Sequence, residues 1–294
     1  MQPGPPPNNE YLVRLPSAAN MESEESQFAT LVMRHLFQAR GIDMSGYSPS
    51  FVMRSIKKRL GRSGASDYAG YLRLLKRSED ETNALLGTLS VNVTEFFRDR
   101  GAFEGFTRSV VKPLLQSKIE GGGIARFWSA GCATGQETYT MAICIAEVIK
   151  GLDSTRLPMV TILGTDISTS ALAKAKGGVY TKDEVKGLPD NYLLEYFKRT
   201  PQGYEATPAL RKGMRFSREN LLEEPQSKYF DAIICRNVMI YFSREMHDKV
   251  ATNLYHALMR GGYLMLGKTE TLLGAPREAF DVMDLENRIL RKKA

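Results

Sequence analysis

From residue 124 to the C-terminus, short apolar runs alternate with helix-patterned stretches, and few architectures accept that rhythm. The runs occupy residues 124–129, 160–165, 214–217, 230–235 and 262–267, with 280–283 and 288–291 as a closing pair. Between them, residues 136–150, 169–175 and 243–259 repeat their apolar positions at three and four. Runs of this length separated by such helices predict an α/β fold. Residues 177–213 cluster Gly, Pro and Tyr and are too irregular for one more crossover helix, so a small inserted subdomain is expected there.

Ahead of the sheet the pattern is helical. Phe28, Leu31, Val32, His35 and Leu36 recur at helical spacing, and Ser48-Pro49 reads as an N-cap followed by proline at N1. The helix they open carries Val52, Ile56 and Leu60 on one stripe and Arg54, Lys57 and Lys58 on another face. Gly61 to Gly64 end it, and Tyr68, Tyr71, Leu72 and Leu75, then Ala84, Leu85, Leu86 and Leu89, predict two shorter helices. The first twenty residues hold five prolines and read as a mobile tail. The expected organisation is therefore a flexible Pro-rich tail over 1–20, a helical domain over 21–90, a linker with a connecting helix near 101–118 within 91–120, and a sheet domain over 121–294 with its insert at 177–213.

Composition narrows the class. At 294 residues and 43% hydrophobic content the chain can fill real cores. It has no apolar run of membrane-spanning length and no signal-peptide pattern, so a cytoplasmic protein is expected. Cys132, Cys144 and Cys235 match no zinc spacing, and His35, His247 and His256 are scattered, so reduced structural thiols and no metal site are expected. The net charge of +7 is local. Residues 51–77 hold Arg54, Lys57, Lys58, Arg59, Arg62, Arg73, Lys76 and Arg77 against the single acid Asp67, and elsewhere the charges balance.

The first run ends in Ser129-Ala-Gly-Cys-Ala-Thr-Gly-Gln-Glu137, after which a helix begins. Glycines there let the backbone pass close to a nucleotide-like ligand at a helix N-terminus, although two glycines alone also suit an ordinary tight turn. The second run ends in Gly164-Thr-Asp166, which puts a carboxylate where ribose hydroxyls can be bound. A dinucleotide turn would be G-x-G-x-x-G. Here it is G-x-x-x-G followed by Gln136 and Glu137, and that acid repels a pyrophosphate but suits a ligand carrying an ammonium and a sulfonium. Charge sign thus favours S-adenosylmethionine and methyl transfer.

The strings Asn92-Val-Thr-Glu-Phe-Phe-Arg-Asp99, Trp128-Ser-Ala-Gly-Cys-Ala-Thr-Gly-Gln-Glu137, Gly164-Thr-Asp-Ile-Ser168, Glu219-Asn-Leu221 and Cys235-Arg-Asn-Val-Met-Ile-Tyr-Phe242 closely resemble the chemotaxis receptor methyltransferases, the CheR family. The resemblance runs from about residue 22 to the C-terminus. It implies a class I, Rossmann-like S-adenosylmethionine-dependent methyltransferase domain behind an all-helical domain, with a small β-subdomain inserted. It also implies cofactor contacts at Asn92, Thr94, Arg98, Gly131, Glu137, Asp166, Asn220, Leu221, Arg236 and Asn237, and substrate-positioning groups at Arg98 and Tyr241. On local chemistry alone Asn92 and Thr94 also suit a helix cap, Glu95 a solvated acid, Arg98 a surface ion pair, and Tyr241 with Phe242 core packing. Cys235 and Trp128 read as buried core.

The implied activity is esterification of glutamate side chains on chemotaxis receptors, with S-adenosylhomocysteine as product. The implied partners are the acidic cytoplasmic methylation helices of those receptors, recognised by Arg54, Lys57, Lys58 and Arg62 in the helical domain. Association with the membrane is expected only through receptors, and the protein itself is expected to be a monomer. Nucleic acid is the rival partner for a basic stripe, but no aromatics interleave it, and residues 235–238 lack the Asn/Asp-Pro-Pro motif of adenine-specific amino methyltransferases. The competing functions are a cofactor-binding module without chemistry and an RNA or small-molecule methyltransferase. Two departures from the family pattern stand out: Thr138 replaces a usual proline, and the stretch 197–216 is shorter than in members that tether to a receptor pentapeptide, which puts tethering in question.

Overall fold

The computed structural model describes residues 18–40, 44, 47–89, 94–152, 157–272 and 274–293, and the chain divides into two compact units between Leu89 and Ser90. The first unit is helical: α1 (Ala18–Arg40), α2 (Pro49–Ser63), α3 (Tyr68–Arg77) and α4 (Glu79–Leu89). Residues 18–20, expected in the tail, belong to α1 instead. Two alanines with high helix propensity let the helix extend past the first buried turn. The rest of the tail lies outside the described residues.

Local chemistry sets the ends of α2. The Ser48 hydroxyl accepts the Phe51 N–H at 3.3 Å, Pro49 occupies the first turn, and Gly64 closes the helix at φ 75°. Val52 and Ile56 are buried with Phe28, Val32 and Leu36 of α1 and Leu85 of α4. Each such side chain contributes roughly 1.5–3 kcal/mol on burial. The α1 stripe is narrower than its spacing suggests, since Leu31 is 46% exposed. One basic residue of α2 faces inward: Arg59 forks onto Glu81, whose Oε1 also accepts the Tyr71 hydroxyl at 2.9 Å.

The described part of the second unit starts at Thr94 and passes through a turn over residues 96–99 into α5 (Arg100–Phe106), a π-helical turn (Thr107–Val111) and α6 (Lys112–Gly121). The expected single connecting helix is thus interrupted. Pro113 lacks an N–H and would clash with the carbonyl four residues back, and the helix widens just before it, with the Lys112 N–H bonding Thr107 O.

There follow β1 (Ile124–Ala130), α7 (Gln136–Lys150), β2 (Met159–Asp166), α8 (Thr169–Gly177), β3 (Val179–Tyr180), α9 (Asp190–Tyr196), β4 (Phe197–Thr200), β5 (Gly203–Ala206), α10 (Pro208–Arg211), β6 (Met214–Arg218), β7 (Phe230–Cys235), α11 (Arg244–Ala257), β8 (Leu258–Leu266), α12 (Gly274–Glu278), β9 (Phe280–Asp284) and β10 (Ile289–Lys292). Seven strands form one sheet in the order β6-β2-β1-β7-β8-β10-β9. The first five are parallel, and β10 runs antiparallel to both its neighbours. The insert supplies a separate three-stranded sheet, β3-β5-β4.

The sheet is covered on both faces, which is why its central strands read as unbroken apolar runs. Along β7 all six residues are buried, with Ala232 and Ile234 in one core cluster and Ile233 and Cys235 in the other. β1 divides the same way: Phe127 packs with Phe103, Phe106 and Ile143, and Trp128 with Phe230, Val250 and Leu254. The Trp128 indole N–H finds a buried acceptor in Thr165 Oγ1 at 2.9 Å. Strand order reverses at β1, with β2 on one side and β7 on the other, so the C-terminal ends of those strands flank a crevice.

Candidate active site

Past the end of β1 the backbone turns under the control of β2. The N–H groups of Gly131 and Cys132 both reach Thr165 O at 2.8 Å. Gly131 has φ 79°, and a Cβ there would lie 2.4 Å from Val238 Cγ2. Gly135 has φ 97°, and its Cβ would meet Ala175 and the Tyr180 hydroxyl below 3 Å. Both glycines are therefore required by the path of the chain. Asp166, closing β2, accepts the Ala133 N–H at 2.8 Å and the Ser168 N–H at 2.9 Å, one on each oxygen. Burial raises its pKa against the pull of those backbone bonds. A carboxylate has about four acceptor sites, so Asp166 holds the loop and still has capacity for ligand hydroxyls.

A cleft of about 410 Å³, counted to its open mouth, lies at these strand ends. Thr94, Arg98, Gly131, Glu137, Arg236 and Asn237, all singled out in the sequence, line it together. Glu95, Phe103 and Ala133 complete the lining; Glu95 is exposed. Asp166 is not among the lining residues but reaches them through its bond to Ala133. Asn220 and Leu221 lie beyond β6 next to the end of β2, where the Glu219 N–H bonds Asp166 O at 3.2 Å. The Asn220 side chain is taken up locally by Leu222 N and Glu223. Asn92 lies outside the described residues, as does the side chain of Tyr241, whose backbone closes a 3-10 turn over Met239–Tyr241.

Glu137 dominates the electrostatics of the cleft. It sits half-buried in the first turn of α7 and accepts the Ser129 hydroxyl at 2.8 Å. Burial pushes its pKa up to about 7, against the charge of Arg236 and the Ser129 bond. A carboxyl in that state is short of a cation. An ammonium entering the cleft would provide one, so the residues present fit S-adenosylmethionine: an acid for its ammonium, an acid at the end of β2 for its ribose, and a loop whose glycine permits close approach.

Arg236 follows β7, and its side chain is 1% exposed. Nη1 donates to Arg98 O at 2.9 Å, Nη2 donates to Asp99 Oδ2 at 2.5 Å, and the guanidinium lies 5.3 Å from the Phe103 ring centroid. Its Nε is buried with no partner among the described residues. Much of this cation is thus committed to holding the turn that carries Arg98. Burial raises the Asp99 carboxyl, but Arg236 and Lys268, the latter 3.3 Å away, outweigh it and hold its pKa below the ordinary value.

In the first unit, Arg54, Lys58 and Arg62 are exposed along α2. Lys57 is tied to Glu25 of α1 at 2.7 Å, which neutralises part of the expected basic face. Among the described residues no group of three or more His, Cys, Asp or Glu is arranged to hold a metal ion, and no helix is long and apolar enough to cross a membrane. The three cysteines are buried.

Residues 92–289 match the family model described as the CheR methyltransferase SAM binding domain, and residues 30–90 match the CheR methyltransferase all-alpha domain. The chain is 33% identical over 243 residues to a chemotaxis protein methyltransferase of Borreliella burgdorferi, covering 80% of this chain and 84% of that protein. It is 32% identical over 267 residues to chemotaxis protein methyltransferase 1 of Pseudomonas aeruginosa, covering 88% and 93%. An uncharacterized 104.1 kDa protein of Rhodobacter capsulatus is 32% identical over 248 residues, covering 84% of this chain but only 26% of that protein.

Proposed function

This chain belongs to the CheR methyltransferase family, and on that premise we propose that it uses S-adenosylmethionine to convert glutamate side chains of chemotaxis receptors into methyl esters. The observation that carries the reading is one cleft in which the carboxyl of Glu137, its pKa about 7, and the cation of Arg98 stand together. One is placed for a cationic cofactor and the other for an anionic acceptor.

Bound S-adenosylmethionine supplies an electrophilic methyl. A glutamate side chain has an ordinary pKa near 4.3 and is ionised at neutral pH, so no general base is needed and no proton moves. What remains for the protein is positioning and removal of water, and orientation alone can be worth several kcal/mol. Arg98 orients the acceptor carboxylate through charge-assisted bonds, and Tyr241 donates its hydroxyl to the same group. Glu137 takes the cofactor's ammonium, Asp166 its ribose hydroxyls, and Asn220 with Leu221 flank the adenine. Asn92, Thr94, Gly131, Arg236 and Asn237 complete the cofactor cradle. The helical unit recognises the acidic receptor helices through Arg54, Lys58 and Arg62, with Lys57 contributing less because of Glu25.

The test is to incubate the protein with radiolabelled methyl donor and receptor-bearing membranes, then expose the labelled material to mild alkali. Label released as methanol supports the ester. Label on protein that survives alkali, or label on RNA or a small molecule, overturns it; no transfer at all, with cofactor binding intact, indicates a silent binding module.

A further inference from the structure

Glu270 lies between β8 and α12, 2% exposed, and none of the residue types read from the sequence pointed to it. Its carboxylate accepts four main-chain N–H groups. Oε2 takes those of Asn237 at 2.8 Å and Gly267 at 2.7 Å; Oε1 takes those of Val238 at 2.9 Å and Met239 at 2.8 Å. Three of the four belong to the loop leaving β7, and that loop presents Arg236 and Asn237 to the cleft. Asn237 is held at φ 58°, a left-handed conformation that costs a non-glycine residue energy unless its surroundings fix it.

Glu270 is not among the residues that line the cleft, yet all its contacts serve one loop at the cleft's edge. A buried carboxylate is tolerated only where its lone pairs are filled, and here they are filled by one loop and the glycine next to it. Gly267 is the complement, because a Cβ there would lie 2.6 Å from Glu270 Oε2 and 3.0 Å from Asn237 N. At the start of the loop, Arg236 grips Arg98 O and Asp99. A shift of the loop is therefore passed to the turn that carries Arg98.

We propose that Glu270 is a positioning residue of the methyltransferase site, a carboxylate bracket that fixes the β7 loop and, through Arg236, the placement of Arg98. The inference rests on the reading of the cleft given above. The discriminating variant is Glu270→Gln, which keeps size and shape. Its amide offers one oxygen and one NH2, so two of the four N–H groups face a donor instead of an acceptor.

Asp231→Asn is the structural control. Asp231 is 4% exposed, accepts the Arg126 N–H at 2.8 Å and pairs with Lys118 at 2.7 Å, and it touches none of the cleft residues through those bonds. Both variants are expected to lower the denaturation midpoint. Only Glu270→Gln is expected to weaken S-adenosylhomocysteine binding by tenfold or more and to lower turnover beyond that. The amides of Asn237, Val238, Met239 and Gly267 are expected to exchange with solvent at least tenfold faster in Glu270→Gln than in the wild type. Equal cofactor affinity in wild type and Glu270→Gln overturns the proposal, as does equal loss of affinity in the two variants. If Glu270→Gln does not fold, exchange in the wild type decides: four protected amides support the bracket, and exchange at unstructured rates overturns it. A wild type that binds no S-adenosylhomocysteine sinks the proposed function instead, and the exchange measurement still judges Glu270 separately.

Discussion

The raised pKa of Glu137 makes a prediction whose sign and size follow from the fold. Burial lifts the group from 4.5 to about 7, so in the pH interval between those values the folded protein holds a proton that the unfolded chain has released. Stability with the cleft empty therefore falls as pH rises through that interval. Below pH 4.5 both states are protonated and the site costs nothing; above pH 7 both are ionised and the full cost is present. At 1.36 kcal/mol per pKa unit the difference corresponds to about 3 kcal/mol, an upper figure because the carboxyl faces the water of the cleft. Glu137→Gln cannot ionise and keeps an oxygen to accept the Ser129 hydroxyl, so it escapes this cost. In urea titrations without ligand the variant should match the wild type near pH 4.5 and exceed it by up to about 3 kcal/mol at pH 8. Binding should go the other way. S-adenosylhomocysteine, through its ammonium, binds best to the ionised carboxylate, so below pH 7 wild-type binding should release close to one proton. That release appears in calorimetry as a dependence of the heat on the buffer's ionisation enthalpy. The variant should release none and bind at least tenfold more weakly at pH 8, the loss of one charge-assisted bond being about 1.5–3 kcal/mol. A stability difference that does not grow with pH, together with binding heats independent of buffer, would refute this account of Glu137.

Other perturbations separate the roles assigned to the cleft and to the helical unit. Asp166→Ala removes the acceptor of the Ala133 N–H and the proposed ribose ligand at once, and should raise the Kd of S-adenosylhomocysteine more than tenfold by calorimetry. Arg98→Ala should lower the initial rate of label transfer on the order of a hundredfold, and Arg98→Lys should recover only part of it, because an ammonium lacks the fork that orients a carboxylate. Reversing charge at Arg54, Lys58 and Arg62 together should raise the KM for receptor and flatten its salt dependence while the Kd for S-adenosylhomocysteine stays put.

The sheet was legible because its strands are buried on both faces and so carry unbroken apolar runs, and the cleft because its glycines and acids sit where those runs stop. Gly131, Arg236 and Asn237 are within two residues of a strand's C-terminal end, and Glu137 lies in the first turn of the helix that follows β1. The misses share a cause. Glu270 lies in Gly267-Lys-Thr-Glu-Thr-Leu272, a string that reads as an ordinary surface loop; its partners are a loop more than thirty residues earlier, and no periodicity records such a contact. The available signal was position, an acid four residues past the end of β8 and just before the buried Leu272. Asp99 closes the motif Asn92–Asp99, but its work depends on Arg236, which is 137 residues away in sequence. The π-helical turn before Pro113 was foreseeable in kind, since proline disfavours a regular helix just there, although the number of residues it would take was not.

Strain and tethers coincide around the cleft. Six described non-glycine residues have positive φ, and four of them, Phe97, Asp99, Ala133 and Asn237, either line the cleft or flank Arg98. Each such conformation costs roughly 1–2 kcal/mol, and each is pinned by a particular polar partner. The Phe97 N–H is held by Thr140 Oγ1 at 3.1 Å, Asp99 by Arg236 and Lys268, the Ala133 N–H by Asp166, and the Asn237 N–H by Glu270. Thr140, Asp166, Arg236 and Glu270 belong to different elements of the sheet domain, so the turns they fix owe their shape to tertiary contacts and not to local propensity. Under the proposed function the site holds an anionic acceptor against a cationic cofactor without a base and has only geometry to work with, and geometry of this kind is kept by anchoring each turn from a neighbouring element. It follows that second-layer residues such as Thr140 and Glu270 should affect turnover at cofactor saturation as well as affinity, whereas loss of a residue that only contacts cofactor should be largely recovered by raising its concentration.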